Sequence, residues 1–411
     1  MTLRFTWNWE PAPDVRLPEH AVTWARLGIE VGGTFATLVE ERDGSFGPRK
    51  YLDVPTYPLA ELLAVNWWQL NAHSHLPSEP GVSLVDAAEG FPWPDLTLRS
   101  DRGLLWTRLR QRDKAPEYVR FLTQGEMVMQ ADIAIREVAR FIDLTVRRLD
   151  DQGITGTLLQ EEWNTIQESD AEEREYCLLA AAWGQDPYDT PSQVESTLLN
   201  AGSVVSEVAL LSDLARVVPL SEVQLATDWL KAAGRALRTR HFELPELGHV
   251  DWSSSAGLPA WRVGYEMARQ LRQLLGLSEL ESAPVGELVA LRATKAEPPN
   301  NVDAVVRLDH SNGGVVVGAG TSSIARRFVG ARALGRRALN PAAGGTSLLT
   351  RSSRYGERAE RAFAAEFLAP AKGIAEVLGG NLSDEAVLRA AKRFDVSPLL
   401  IEHQVENQLA A

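Results

Sequence analysis

Near residue 131 the spacing of apolar side chains changes from about 2 to about 3.6 residues, and this change constrains the fold more than any other feature. Before it, Ile29–Glu40 carries β-branched residues in partial alternation, Asp43-Gly44 offers a turn, and Tyr51–Val54 returns, which predicts a hairpin. Leu104–Leu109 and Tyr118–Met129 read as further strands. Leu59–Leu70 reads as a short apolar helix, and 72–98 as a loop rich in Pro, Gly and Ser. After the change, Ile135, Val138, Ile142, Val146 and Leu149 mark one stripe of a helix running from Ala131 to Gly153. Thr157–Glu168, Ala171–Trp183, Pro191–Leu199, Val204–Val217 and Ser221–Leu237 continue the helical pattern. Strands grouped first and helices grouped after them predict an α+β chain, not an alternating α/β one.

The stretch 241–260, with Pro245, Gly248, Ser253 to Ser255, Gly257 and Pro259, reads as a linker. Three domains are therefore expected: β-rich 1–130, all-helical 131–250, and a C-terminal α+β domain over 251–411. Within the last, Trp261–Gly276 predicts a helix, and Val302–Leu308 with Gly314–Gly318 a hairpin around Ser311-Asn-Gly-Gly. A further helix includes Arg326–Leu339, with Thr321 or a neighbouring serine to cap it. Near the end, Ser383–Phe394 and Ser397–Val405 are two capped helices joined by Asp395-Val396. Their spacing resembles a helix-turn-helix. The second helix, however, offers Glu402, His403, Gln404 and Glu406 with no Arg or Lys, which argues against DNA reading.

Charge sharpens the picture. The 411 residues carry a net charge of -13, which argues against a general affinity for nucleic acid or anionic membrane. Yet 321–365 holds nine arginines and two glutamates, a local basic region able to attract phosphate or acidic partners. A single cysteine, Cys177, excludes an internal disulfide and reads as a buried, inert thiol. His73 and His75 form the only close histidine pair, in a proline-flanked loop with no third ligand nearby. Met1–Trp9 lacks the apolar run of a signal peptide and no stretch reaches membrane-span length, so the expectation is a cytoplasmic protein with no membrane partner. Trp7 and Trp9 alternate on an expected strand and suggest an exposed binding edge.

Two segments carry a family resemblance. One is Arg326-Arg-Phe-Val-Gly-Ala-Arg-Ala-Leu-Gly-Arg-Arg-Ala-Leu339, and the other is Glu357-Arg-Ala-Glu-Arg-Ala-Phe363-Ala-Ala-Glu-Phe-Leu-Ala-Pro370. Together they resemble the ImmA/IrrE metallo-endopeptidases, where Arg-Phe-x-x-Ala-His-Glu-Leu-Gly-His precedes Glu-x-x-Ala-Asn-x-Phe-Ala-Ala-x-Leu-Leu-x-Pro. The segment Ala180–Tyr188 and the helix from Trp261 extend the likeness over 131–411, strongest from 322 to 370. The resemblance implies a zincin-like α+β domain over 251–411.

Where the family carries its two zinc histidines and catalytic glutamate, this chain has Arg332, Arg336 and Ala333. Histidines at i and i+4 share one helix face and can hold one zinc ion. Arginine stays protonated and has no lone pair to give, and alanine is no general base. Glu357 occupies the position of the family's third ligand. The expectation is no catalytic residue, no metal and no cofactor, with a buried Arg332–Glu357–Arg336 ion cluster in place of zinc. Two alternatives stay open: arginines merely solvated after drift, and a re-used pocket that holds an anion on Arg326, Arg327, Arg332, Arg336, Arg354 and Arg358.

By this resemblance the expected function is that of a catalytically inactive pseudo-peptidase, not an enzyme. It would bind a protein partner, such as a regulator, antitoxin or defence effector, or sense a ligand, in bacterial stress response or phage defence. One alternative is a divergent metallo-endopeptidase that recruits His310 and Glu360 beside Glu357 and cleaves a regulator or antitoxin. A second is a DNA-associated regulator using 383–406 or the arginine patch.

Overall fold

The computed structural model describes residues 2–41, 47–72, 81–87, 89–101, 103–111, 119–205, 208–237, 258–294, 297–308, 314–318, 322–339 and 345–409. The chain is mixed α+β and divides into two compact units, Met1–Glu195 and Ser196–Asp251 with Leu258–Ala411. Helical residues expected to form their own domain over 131–250 are thus shared between the two. The apolar face of Val208–Ala215 buries against the second unit's sheet.

In the first unit the strands are β1 (Leu3–Trp9), β2 (Trp24–Val31), β3 (Thr34–Phe35), β4 (Val39–Glu41), β5 (Leu52–Pro55), β6 (Val82–Ser83), β7 (Asp95–Asp101), β8 (Leu104–Arg110), β9 (Val119–Phe121) and β10 (Gly125–Gln130). Its helices are α1 (Pro18–Val22), α2 (Tyr57–Val65), α3 (Trp67–Asn71), α4 (Ala131–Asp151), α5 (Leu158–Glu168) and α6 (Ala171–Ala182), with the start of α7 (Ser192–Val204). β1 pairs antiparallel along the whole of β2, whose other edge takes β5 and β3. A second sheet runs β10-β8-β7-β6, and β4 pairs β9.

The expected first hairpin is corrected here. Gly32 and Gly33, at φ 59° and 89°, turn the chain after Val31, so Ile29–Glu40 is not one strand, and Trp24–Leu27 is the stretch that pairs with Leu52–Pro55. Left-handed φ is cheap only for glycine, and the pair therefore ends the strand. Asp43-Gly44 lies outside the described residues, as do His73 and His75. The expected loop over 72–98 contains β6 and the start of β7, and Tyr118–Met129 is split into β9 and β10.

α4 buries Ala134, Val138, Phe141, Ile142, Thr145 and Leu149, the expected stripe with Ile135 and Val146 at its margins. Phe5 stacks on Phe141 at 4.5 Å, and Trp7 meets the same ring edge-on. The guanidinium groups of Arg140 and Arg148 cover Trp7 and Trp9 at 5.5 and 5.2 Å. The two tryptophans thus pack under α4's arginines instead of forming an open binding edge. α5 starts in a capping box between Thr157 and Gln160, and Gly184, at φ 68°, turns the chain after α6. Cys177 is buried on α6.

The second unit contains α8 (Val208–Ala215), α9 (Val223–Ala236), α10 (Ala260–Leu274), α11 (Val285–Leu288), α12 (Ser323–Leu339), α13 (Tyr355–Leu368), α14 (Ala371–Leu378), α15 (Asp384–Phe394) and α16 (Pro398–Gln404). Its sheet is ordered β11 (Ala290–Ala293), β13 (Gly314–Gly318), β12 (Val302–Leu308) and β14 (Gly345–Thr350). β11 and β13 are parallel and the other pairs antiparallel. The expected β12–β13 hairpin is present, and its turn residues 311–313 lie outside the described set. Ser322 caps α12 by accepting from the Ala325 N–H at 3.1 Å.

α15 and α16 have the expected boundaries, with Asp395 at φ 52° and Ser397 accepting from the Leu400 N–H. Gln404 of α16 donates to the Glu366 carboxylate and the Ala369 carbonyl, which ties this helix to α13. Among the described residues no helix is long and apolar enough to cross a membrane.

Candidate functional site

Small residues set the spacing of the helices around the site. Gly335 of α12 lies flat on the Phe363 ring, where an added Cβ would sit 2.8 Å from a ring carbon, and Gly264 of α10 faces the α13 backbone at Ala359. With Ala331, Ala333 and Ala338 also buried, α12 approaches α13 closely. Arg332 and Arg336, one turn apart, then lie against the part of α13 that carries Glu357 and Glu360, also one turn apart.

These side chains are deeply buried: Arg332 is 1% exposed and Glu357 0%. Charges so placed survive only when paired and hydrogen-bonded. Arg336 forks onto Glu360, Nε to Oε1 at 2.8 Å and Nη2 to Oε2 at 3.3 Å. Its Nη1 donates to Ser347 Oγ at 3.0 Å and to the Leu348 carbonyl of β14. Arg332 donates to Asp303 of β12 at 2.5 Å and to the Thr350 carbonyl at 2.6 Å, with Glu360 3.6 Å away.

Glu357 meets a partner that was not expected. Arg216, in the turn directly after α8 and itself 1% exposed, reaches Glu357 at 3.4 Å and Asp213 at 3.2 Å. Asp213 accepts the Leu348 N–H at 2.8 Å and lies 3.9 Å from Arg336, so α8 is tied both to β14 and to the cluster. Thr350 Oγ1 donates to Glu357 at 3.4 Å. The expected Arg332–Glu357–Arg336 triad is therefore corrected to a wider network. Arg332 and Arg336 converge on Glu360, and Glu357 joins through Arg216. The reason is register: with Gly335 seated on Phe363, Arg336 lies beside Glu360, which is one turn beyond Glu357.

The six arginines grouped as candidate anion ligands are separated by the fold. Arg327 is spent on structure, donating to the Phe394 and Ala283 carbonyls, Ser282 Oγ and the Asp395 carboxylate at the end of α15. Arg332 and Arg336 serve internal carboxylates, Arg354 is buried at the start of α13, and Arg358 is exposed. Arg326 is half-buried near the start of α12.

Two arginines outside that set matter more. Arg361 donates to the Ser352 carbonyl at 2.8 Å, and Arg351 donates to Asp303 at 2.8 Å. Burial, and then the neighbouring Arg332 guanidinium, hold the Arg361 guanidinium below its ordinary range, against the opposing pull of Glu357, Glu360 and Asp303.

The donor set does not fit a zinc ion. Positions 332 and 336 carry fixed cations, and Glu357 and Glu360 each face a guanidinium at contact distance. Among the described residues no three His, Cys, Asp or Glu side chains group to hold a metal, and His310 lies outside them.

Asp213 and Arg216 carried a signal that sequence reading passed over. They are opposite charges three residues apart in Val208–Val218, an otherwise almost wholly apolar stretch. Charged residues in such a setting are rarely buried unless paired. Comparison of the chain with protein-family models and with curated proteins gives no match.

Proposed function

We propose that this chain is a peptidase-like scaffold that works by binding and not by cutting. The observation that supports the reading is the chemistry of the α12–α13 contact. The positions that would hold a zinc ion in the ImmA/IrrE family it resembles carry Arg332 and Arg336, neutralised from within by Asp303 and Glu360. A bound metal supplies positive charge that holds two helices and a strand together. Here guanidinium groups supply that charge, and Ala333 leaves no carboxylate to activate a water. The reading makes the protein a cytoplasmic bacterial regulator whose partner is a protein, such as a repressor, an antitoxin or a defence effector.

The test is metal analysis of the purified, untagged chain together with proteolysis of candidate partners found by affinity capture from the native host. The expected result is less than one-tenth of an equivalent of zinc and a partner recovered at full length. Stoichiometric zinc that is lost in Glu357→Ala would overturn the reading in favour of a divergent peptidase.

A further inference from the structure

The ion network is neutralised on its buried side and unbalanced towards solvent. Three arginines bind or belong to the stretch where β14 leads into α13. Arg332 donates to the Thr350 carbonyl and Arg361 to the Ser352 carbonyl, the carbonyls on either side of Arg351 in the chain. Arg332 and Arg351 share the two oxygens of one carboxylate, Asp303 Oδ2 and Oδ1. Glu360, the next acid inward, is already forked by Arg336. Arg358, three residues before Arg361 on the same helix surface, adds a further exposed cation at the rim.

This outer group opens to water. Arg351 is 68% exposed and Asp303 18%, while Arg361 is half-buried. Behind it, Arg332 Nε is a buried donor with no hydrogen-bond acceptor among the described residues. Burial first, and then the Arg332 charge, hold Arg361 below its ordinary range, and Arg332 and Arg351, held on one carboxylate, add their own mutual repulsion. An oxyanion of two negative charges would relieve it, and guanidinium forks match tetrahedral oxyanions in geometry as well as charge.

We propose that Arg351, Arg358 and Arg361, backed by Arg332, form a binding site for a phosphate monoester dianion. Asp303 acts as the internal competitor, holding Arg332 and Arg351 apart from the ligand until it is displaced. The proposal stands independently of the inactive-peptidase reading, because zinc content tests that reading and anion titration tests this one.

The probe is inorganic phosphate, titrated into the full chain by calorimetry at constant ionic strength and pH 7.5, with chloride as the reference anion. Saturable binding is expected, with a dissociation constant below about 10 mM. Arg361→Gln and Arg351→Gln should each weaken it by roughly tenfold or more, and Asp303→Asn should tighten it severalfold. Arg351 is a surface residue, so its variant keeps the test valid should Arg361→Gln fail to fold. Arg4→Gln, an exposed arginine in the other unit, should leave binding unchanged.

A phosphoserine peptide and adenosine 5′-monophosphate, compared with inorganic phosphate, distinguish a protein source from a nucleotide source, and tighter binding of either supports the site. Absence of saturable phosphate binding would overturn the proposal. So would an equal loss in Arg4→Gln, which would reduce the effect to general screening.

Discussion

Arg336 and Glu360 form a two-pronged ion pair between α12 and α13, with contacts of 2.8 and 3.3 Å and both side chains almost wholly buried. Burying such a pair gains little over an apolar contact, but removing one partner strands the other in a medium where an unpaired charge costs several kcal/mol. Glu360→Gln and Arg336→Met should therefore each destabilise the second unit by about 3 kcal/mol. The double variant should lose less than the sum of the two, by about 2 kcal/mol, because neither charge is then left alone. Hydrogen exchange of α12 and α13 amides reads this unit directly, and strict additivity in the opening free energies would mean that the pair is not coupled.

Asp213 holds β14 from outside the sheet, accepting the Leu348 N–H at 2.8 Å and pairing with Arg216 at 3.2 Å. Asp213→Ala should remove both contacts and leave Arg216 with less negative charge around it. The Leu348 amide should then exchange at least tenfold faster, a loss of about 1.4 kcal/mol or more of protection. Amides of β12 facing β13 should change far less, and uniform acceleration over the sheet would show a global effect instead of a lost anchor.

The part of this site that was legible in the sequence is the part fixed by helix geometry. Arg332 and Arg336 had to share a face because they are four residues apart, and Glu357 opens the second family-like segment, Glu357–Pro370. The pairing was not legible, because one helical turn separates Glu357 from Glu360 and the choice depends on where Gly335 settles on Phe363. Arg216 was out of reach for a different reason. It lies 141 residues before Glu357, in the turn after α8, and the docking of α8 on β14 is a tertiary fact with no local signature beyond two charges in an apolar run. The α15–α16 pair was read closely because its boundary signals are local: Ser397 caps α16 with its side chain and Asp395 is left-handed, while Ser383 holds the N-cap position of α15 without a side-chain bond. The first hairpin was misread because partial alternation over Ile29–Glu40 outweighed Gly32-Gly33, the feature that ends the strand.

Gly264 faces the Ala359 carbonyl and the Phe363 N–H of α13, too close for any side chain. Gly264→Ala should push α10 away from α13 and cost about 1–3 kcal/mol, despite alanine's better helix propensity. Gly234, on α9 with nothing near its missing Cβ, provides the contrast. Gly234→Ala should be neutral or stabilise by up to about 1 kcal/mol. The thermal midpoint of Gly264→Ala should fall while that of Gly234→Ala holds or rises, and a stabilised Gly264→Ala would show that the helices are not in close contact there.

Cys177 supplies a test in the first unit that depends on pH. Burial pushes its thiol from an ordinary 9.0 up to about 11, with a partial offset from its hydrogen bond with Tyr188. Between those values the unfolded chain has released the proton and the folded chain still holds it. The folded state binds more protons across this window, so the thiol's contribution to stability is complete below pH 9.0 and is lost as pH rises towards about 11. Cys177→Ala should flatten that part of the pH–stability curve, measured against the parent chain so that tyrosine and lysine titrations cancel. At pH 8 the native thiol should also resist iodoacetamide and react only when urea exposes it, since the thiolate is the nucleophile and both burial and the raised value suppress it. Stoichiometric alkylation of the folded protein at pH 8 would show that α6 opens far more readily than its packing implies.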